Sequence, residues 1–243
     1  MKFVSSPPSF YSRHNERGNV LFYILIAVGL LAALSYAVSQ SSRGSASQLS
    51  QEKARLFASE MIEYANVVGS AVGQLRLRGV ADTALCFDHD SWGHNDYDHA
   101  GCGDTRNNIF MLDGGGVTWS NAPPEAMDSS ASPDNLWHFY GDNEIQEVGL
   151  TCGAASCADL IMFADELDVN VCTQLNTLLG VSNPSGNPPI DSAIGTTLFA
   201  SSYGASETIG DEAGSAALAG KKAGCFENDA TGEYTFYKVL VAR

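Results

Sequence analysis

The fold is decided by the stretch "ERGNVLFYILIAVGLLAALSYAVSQSSR", residues 16–43 of a 243-residue chain. Two charged residues open it, and residues 21–38 then form a run of 18 residues without a charge. A helix over that run would be about 27 Å long, close to the roughly 30 Å hydrocarbon core of a bilayer. We therefore predict one membrane-crossing helix here, with the preceding Arg13 and Arg17 on the cytoplasmic side.

The helical pattern continues past this apolar run. Apolar side chains recur every three or four residues, which is the helical period; they are Leu49, Leu56, Phe57, Met61, Tyr64, Ala65, Val68, Val72 and Leu75. Gly79 follows Arg76 and Arg78, and glycine and basic residues are both typical of a helix C-terminus. We therefore predict one long helix over residues 19–79.

The remaining residues, 80–243, have the composition of a mixed domain. Residues 156–180, "SCADLIMFADELDVNVCTQLNTLLG", predict a strand and then a short helix that begins near Asp168 or Asn170. A loop rich in proline and glycine follows. Residues 224–243, "GCFENDATGEYTFYKVLVAR", predict a hairpin because aromatic and β-branched residues follow a turn sequence.

Charge and cysteine content narrow the function. The net charge of −15 disfavours binding to nucleic-acid phosphates. Six cysteines, all beyond the apolar run, suggest disulfides formed in an oxidising compartment, with free buried thiols as the alternative. The absence of a CxxC pair argues against a structural zinc site. Among the possible pairings we favour Cys86–Cys102 and Cys152–Cys157 as short loops and Cys172–Cys225 as a long one.

The order of these parts resembles the type IV pilins and the type II secretion pseudopilins. The resemblance lies in "ERG|NVLFYILIAVGLLAALSYAV", where the bar marks the expected prepilin-peptidase cut between Gly18 and Asn19, and more weakly in the last 20 residues. It implies a cleaved leader (1–18), a long helix (19–79, of which 19–40 lie in the membrane or the filament core) and an extracytoplasmic globular domain (80–243). The implied fold class is α+β and pilin-like: a long N-terminal helix with a membrane-spanning first half, packed on a disulfide-bearing antiparallel β-sheet.

The function that the resemblance implies is structural, without enzymatic activity. The chain would be inserted in the bacterial inner membrane and then assembled, through its apolar helix, into a pilus or pseudopilus in the periplasm or outside the cell. Its partners would be copies of itself, other pilin-like subunits and prepilin peptidase, which is associated with methylation of the new N-terminus. The expected assembly residues include small ones that permit close helix packing; they are Leu21, Tyr23, Ile24, Ala27, Gly29, Ala33 and Val38.

Two positions depart from the family pattern, and the second favours a minor subunit. Most members begin with phenylalanine or a similar apolar residue, where this chain would begin with Asn19. The family usually has a glutamate five residues after the cut, where this chain has Tyr23. Two other interpretations of the N-terminus stay open. The "SYA" at residues 35–37 would fit a conventional signal peptidase that cuts before Val38, leaving a secreted binding module such as an adhesin or calcium binder. The other open interpretation is that the apolar run is an uncleaved membrane anchor.

A polar loop, "CFDHDSWGHNDYDHAGCGD" (residues 86–104), holds the candidate metal ligands. The carboxylates of Asp88, Asp90, Asp96 and Asp98 would suit calcium. His89, His94 and His99 would instead suit a transition metal, and with it a metal-dependent hydrolase. A solvated loop closed by a disulfide explains the same residues without any ion. No catalytic sequence motif is present, so we predict no catalytic residues and no required cofactor.

Overall fold

The computed structural model describes residues 19–89, 97–130, 135–192, 194–204 and 207–243, without the side chains of residues 19, 20 and 36–49. The expected leader, including Gly18, lies outside these residues. The chain divides into two compact units, Met1–Leu49 and Ser50–Arg243. Helix α1 is assigned to Asn19–Leu77, and the parts of it in the two units are described separately below.

The second unit combines a short helix with a six-stranded sheet. Helix α2 covers Val169–Leu179, and the strands are β1 (His138–Ile145), β2 (Asp159–Leu167), β3 (Ile190–Asp191), β4 (Glu207–Ile209), β5 (Ala223–Asn228) and β6 (Glu233–Val241). The strands lie side by side in the order β3-β5-β6-β2-β1-β4. Short 3₁₀ turns occur in the connections, among them Asp82–Ala84 and Ala100–Gly103.

The predicted fold class is wrong, because the sheet is mixed. The four central strands pair antiparallel, whereas β3 pairs parallel with β5 and β4 pairs parallel with β1. A parallel pair requires a long crossover connection. The chain supplies one between β1 and β4, since β2, α2 and β3 all intervene.

The predicted membrane-spanning helix is also wrong. Within the described part of the chain, no helix is both long and apolar enough to cross a bilayer. This finding removes the basis for the predicted inner-membrane localisation and for a transmembrane classification.

The core of the second unit lies on both faces of the sheet. Along β6, Phe236 joins one hydrophobic cluster while Tyr237 and Val239 join the other, as alternation along a strand requires. Residues 50–77 of α1 contribute a buried stripe to the first cluster: Ala54, Ala58, Met61, Ala65, Val68, Ala71, Val72 and Leu75. This stripe contains most of the predicted apolar positions, but Leu56 is exposed.

Local sequence chemistry explains where α2 begins and ends. The Asp168 carboxylate accepts a hydrogen bond from Asn170 N at 2.8 Å and caps the first turn. Gly180 ends the helix in the left-handed conformation, at φ 69°. The same helix is tied to β5 by Asn176, whose side chain donates to Cys225 O and accepts from Cys225 N, both at 2.8 Å.

Three disulfides are present, and they join the pairs that the sequence favours. They are Cys86–Cys102, Cys152–Cys157 and Cys172–Cys225. The first closes the polar loop, the second closes a short turn between β1 and β2, and the third links α2 to β5. The β5–β6 hairpin predicted from the last residues is also present.

Candidate functional site

The first candidate site is the apolar segment of α1 in the first unit, residues 21–34. All of its large apolar side chains are exposed, by fractions between 43% and 71%: Leu21, Phe22, Tyr23, Ile24, Leu25, Ile26, Val28, Leu30, Leu31 and Leu34. The small residues Ala27, Gly29 and Ala33 are interspersed and exposed as well. Val38 lies within the helix, but its side chain is not among those described.

The composition of this segment requires a partner. Monomeric soluble proteins rarely expose a contiguous apolar patch larger than a few hundred Å². Here successive positions around the helix are apolar, so the segment has no polar face to turn towards water. A Cβ added at Gly29 would meet no atom within 4 Å, so this face is open to another helix.

The second candidate site is the polar loop closed by Cys86–Cys102. Asp90, His94 and Asp96 lie outside the described residues. Of the two remaining candidate carboxylates, that of Asp88 is half-buried and that of Asp98 is exposed. The described residues bring no group of metal ligands together in this loop. The calcium site therefore stays a prediction.

Two histidines of this loop have structural contacts. The Nδ1 atom of His99 accepts a hydrogen bond from Gly101 N at 3.0 Å, and its Nε2 atom lies 3.0 Å from the carbonyl oxygen of Leu85. The ring of His89 stacks on Trp119 with a centroid separation of 3.6 Å. Both nitrogens of His99 are thus occupied by backbone groups, which does not favour the transition-metal interpretation.

The third candidate site, which the sequence analysis missed, is a set of buried carboxylates. Those of Asp142, Glu144, Asp159 and Asp191 are buried, three of them completely. Each accepts hydrogen bonds from the main chain; the Asp142 carboxylate, for example, accepts from Thr197 N at 3.0 Å. These long-range bonds fasten the edge loops to the sheet.

Glu144 lies beside the Cys152–Cys157 disulfide. One carboxylate oxygen and the two sulfur atoms lie within 4.8 Å of one another, in the only such group among the described residues. Because the sulfurs are bonded to each other, they are not thiolate ligands. This arrangement therefore does not form a metal site in the oxidised protein.

Burial raises the pKa of Asp159 to about 6, from an ordinary value of 3.8. The nearby Glu144 carboxylate also raises this pKa, while hydrogen bonds from the backbone N–H groups of Arg243 (2.9 Å) and Ile145 (3.3 Å) oppose the shift. Burial raises the pKa of Asp191 in the same direction. The folded protein therefore holds these protons more tightly than the unfolded chain does.

We expect a pH dependence of stability from Asp159. Because its folded pKa exceeds its unfolded pKa, its contribution is fully present below pH 3.8 and is lost as the pH rises through about 6. The loss amounts to roughly 3 kcal/mol in the free energy of unfolding. Urea unfolding between these pH values should show it, and Asp159→Asn should flatten the slope. If Asp159→Asn left the pH dependence of the free energy of unfolding unchanged, Asp159 would not be its source. Asp191→Asn measures the contribution of the Asp191 carboxylate to the same pH dependence.

The comparisons with known proteins identify no relative: no protein-family model, curated protein or solved structure matches this chain. The functional argument therefore depends on the residues of the chain itself.

Proposed function

We propose that this chain is a structural subunit of a filament, in which residues 21–34 of α1 pack against the same segment of neighbouring copies. The observation that carries the proposal is the exposure of ten large apolar side chains on that segment. Complete burial of one such side chain contributes about 1.5–3 kcal/mol. Ten of them per copy would therefore supply a large driving force for association.

A bundle of identical helices suits this segment better than a flat protein surface does. The apolar residues surround the helix, so one flat partner would leave half of them in water. A ring of like helices covers every side. The exposed Ala27, Gly29 and Ala33 have little or no side chain, which allows the helices to approach closely.

The resemblance of residues 16–38 to prepilins suggests the kind of filament: a type IV pilus or a type II secretion pseudopilus. In this proposal prepilin peptidase cuts after Gly18, and Asn19 becomes the N-terminus of the assembled subunit. Tyr23, in the position of the usual glutamate, supports a minor role in the filament. The three disulfides of the second unit are consistent with an oxidising environment for that unit.

We expect that Leu25→Arg and Leu31→Arg each abolish assembly of the full-length protein. Either guanidinium would have to be buried without a counter-charge among packed helices, which is strongly unfavourable. The measurement is the fraction of the protein in sheared, pelleted filaments, together with the intact mass of the subunit found there. The expected N-terminus in the wild-type filament is Asn19.

Leu112→Arg is the matched control, because Leu112 is 95% exposed but belongs to the second unit. It makes the same chemical change outside the proposed interface, and assembly should be unaffected. If the variants at residues 25 and 31 still form filaments in the wild-type amount, α1 is not the assembly surface. Equal losses in all three variants would also contradict the proposal.

A further inference from the structure

The three disulfides differ in their access to solvent. Cys152 is exposed, while its partner Cys157 is buried. Both ends of the Cys172–Cys225 bond are completely buried, and so is Cys86. A dissolved thiol can therefore approach Cys152 more readily than these three cysteines, and access is one of the factors that set the rate of disulfide exchange.

The loop that carries this disulfide also holds a buried charge in place. The Glu144 carboxylate accepts hydrogen bonds from Gly153 N (2.8 Å) and Cys152 N (3.2 Å), at one end of the loop. It also accepts from the Thr208 hydroxyl at 2.7 Å. Glu144 thus connects the disulfide loop to strand β4.

Strand β4 is a short edge strand. It has three residues and pairs with β1, while Ile209 at its end is buried in the core and Gly210 N donates to the Asp191 carboxylate. The Thr208–Glu144 hydrogen bond is the contact through which β4 depends on the disulfide loop. If the loop moved away, Glu144 would lose two donors while still completely buried, which is costly for a carboxylate.

We propose that Cys152–Cys157 is a site of thiol–disulfide exchange with a dithiol, and that its reduction loosens β4 by freeing the loop from Glu144. This inference does not depend on the proposed filament function. It assigns a chemical role to the short disulfide and to the buried Glu144, in addition to their contributions to stability.

The exchange proceeds in two steps. A thiolate of the dithiol first attacks Sγ of Cys152 and forms a mixed disulfide with it. The Cys152–Cys157 bond breaks at the same time, and its electron pair leaves on Sγ of Cys157, which then takes up a proton from water. The second thiolate of the reagent then attacks the reagent's own sulfur in the mixed disulfide and displaces Cys152, which is protonated in turn. Two electrons pass to the protein, and the dithiol becomes a cyclic disulfide.

Ser156 is placed to assist the first step. Its hydroxyl oxygen lies 3.8 Å from Sγ of Cys157 and 3.7 Å from Sγ of Cys152. When the bond breaks, this hydroxyl can donate to the departing Cys157 thiolate, and a hydrogen bond to a charged sulfur stabilises it. Ser156 is thus a positioning residue for the leaving group.

The test is a titration of the native full-length chain with dithiothreitol, followed by acid quenching, alkylation and mass analysis of the cysteine peptides. We expect Cys152 and Cys157 to be alkylated together, at a reductant concentration at least about tenfold below that needed for the other four cysteines. Alkylation of another pair first, or of all six cysteines together, would overturn the proposal.

Two variants separate chemistry from simple exposure. Ser156→Ala should slow the exchange roughly fivefold, since it removes the donor to the leaving thiolate; a merely structural serine would leave the rate unchanged or raise it. Cys152→Ser/Cys157→Ser should mimic the reduced state without any reductant. Amide hydrogen exchange at residues 207–209 should then rise at least about tenfold, while exchange in β6 stays at the wild-type rate. Unchanged exchange in β4 would refute the role assigned to Glu144.

Discussion

Replacing Cys172 and Cys225 together by alanine should lower the free energy of unfolding by about 4 kcal/mol, from the chain entropy of the loop that the disulfide closes. The two cysteines are separated by 53 positions in sequence, so their bond greatly restricts the unfolded chain. Both side chains are completely buried where α2 meets β5. Urea unfolding of the oxidised full-length protein measures the effect.

The matched control is Cys152→Ala/Cys157→Ala, which removes a disulfide with a sequence separation of only 5. The same entropic argument gives a loss of about 2 kcal/mol for this short loop. The difference between the two variants is the critical result. If the short-loop variant loses as much stability as the long-loop variant, restriction of the unfolded chain is not the main contribution.

The contact between α2 and β5 should survive removal of the long disulfide, because Asn176 maintains it independently. Its two 2.8 Å hydrogen bonds to the main chain of Cys225 do not involve the sulfur atom. The variant is therefore expected to fold to the same arrangement with reduced stability. Near-ultraviolet circular dichroism in the absence of urea checks this, since a loss of its signal would mean that the core itself had rearranged.

Local features of the sequence could be predicted because their chemistry lies in neighbouring residues. The start of α2 depends on Asp168 and a backbone group two residues later, and its end depends on the conformational freedom of Gly180. The β5–β6 hairpin similarly requires a turn and two strands that adjoin it. Each of these structures is encoded in one short, continuous stretch of sequence, the range over which periodicity and turn preferences apply.

The mixed sheet and the buried carboxylates could not be predicted in this way. Strands β3 and β4 have two and three residues, too few for an alternating pattern. The polar run Asp142, Asn143 and Glu144 looks like a loop, yet it lies in β1 because its partners come from distant sequence. The Thr208 hydroxyl that satisfies Glu144, for instance, is 64 residues away. A sequence pattern does not contain such a pairing until the chain has folded.

The apolar run shows a different limit of sequence reasoning. Its uninterrupted apolar character indicates a helix that needs an apolar environment. The nature of that environment does not follow from hydropathy. A bilayer and a bundle of like helices both satisfy the requirement, and among the described residues no helix is both long and apolar enough for the bilayer. Our proposal therefore assigns the apolar segment to association with other copies of the chain.

Trp137→Ala should lower the free energy of unfolding by about 3–5 kcal/mol, the usual range when a large buried aromatic side chain is removed. Trp137 is 2% exposed, and its ring stacks on Tyr64 of α1 at 5.5 Å and lies edge-on to Phe236 of β6 at 6.2 Å. Its Nε1 atom donates to Ser120 O at 3.1 Å. The side chain therefore joins residues 50–77 of α1, the sheet and an intervening loop.

Two further variants assign this loss to particular contacts. Trp137→Phe keeps an aromatic ring but removes the Nε1 donor, so it should lose much less, about 1 kcal/mol for the hydrogen bond in addition to a small change in packing. Trp119→Ala is the matched control: Trp119 is only half-buried, and its removal should cost less than half as much as that of Trp137. Equal losses at the two tryptophans would contradict the expectation that the cost follows burial. A larger loss at Trp137 is expected because its ring is buried between Tyr64 of α1 and Phe236 of β6, where its removal opens the core of the second unit.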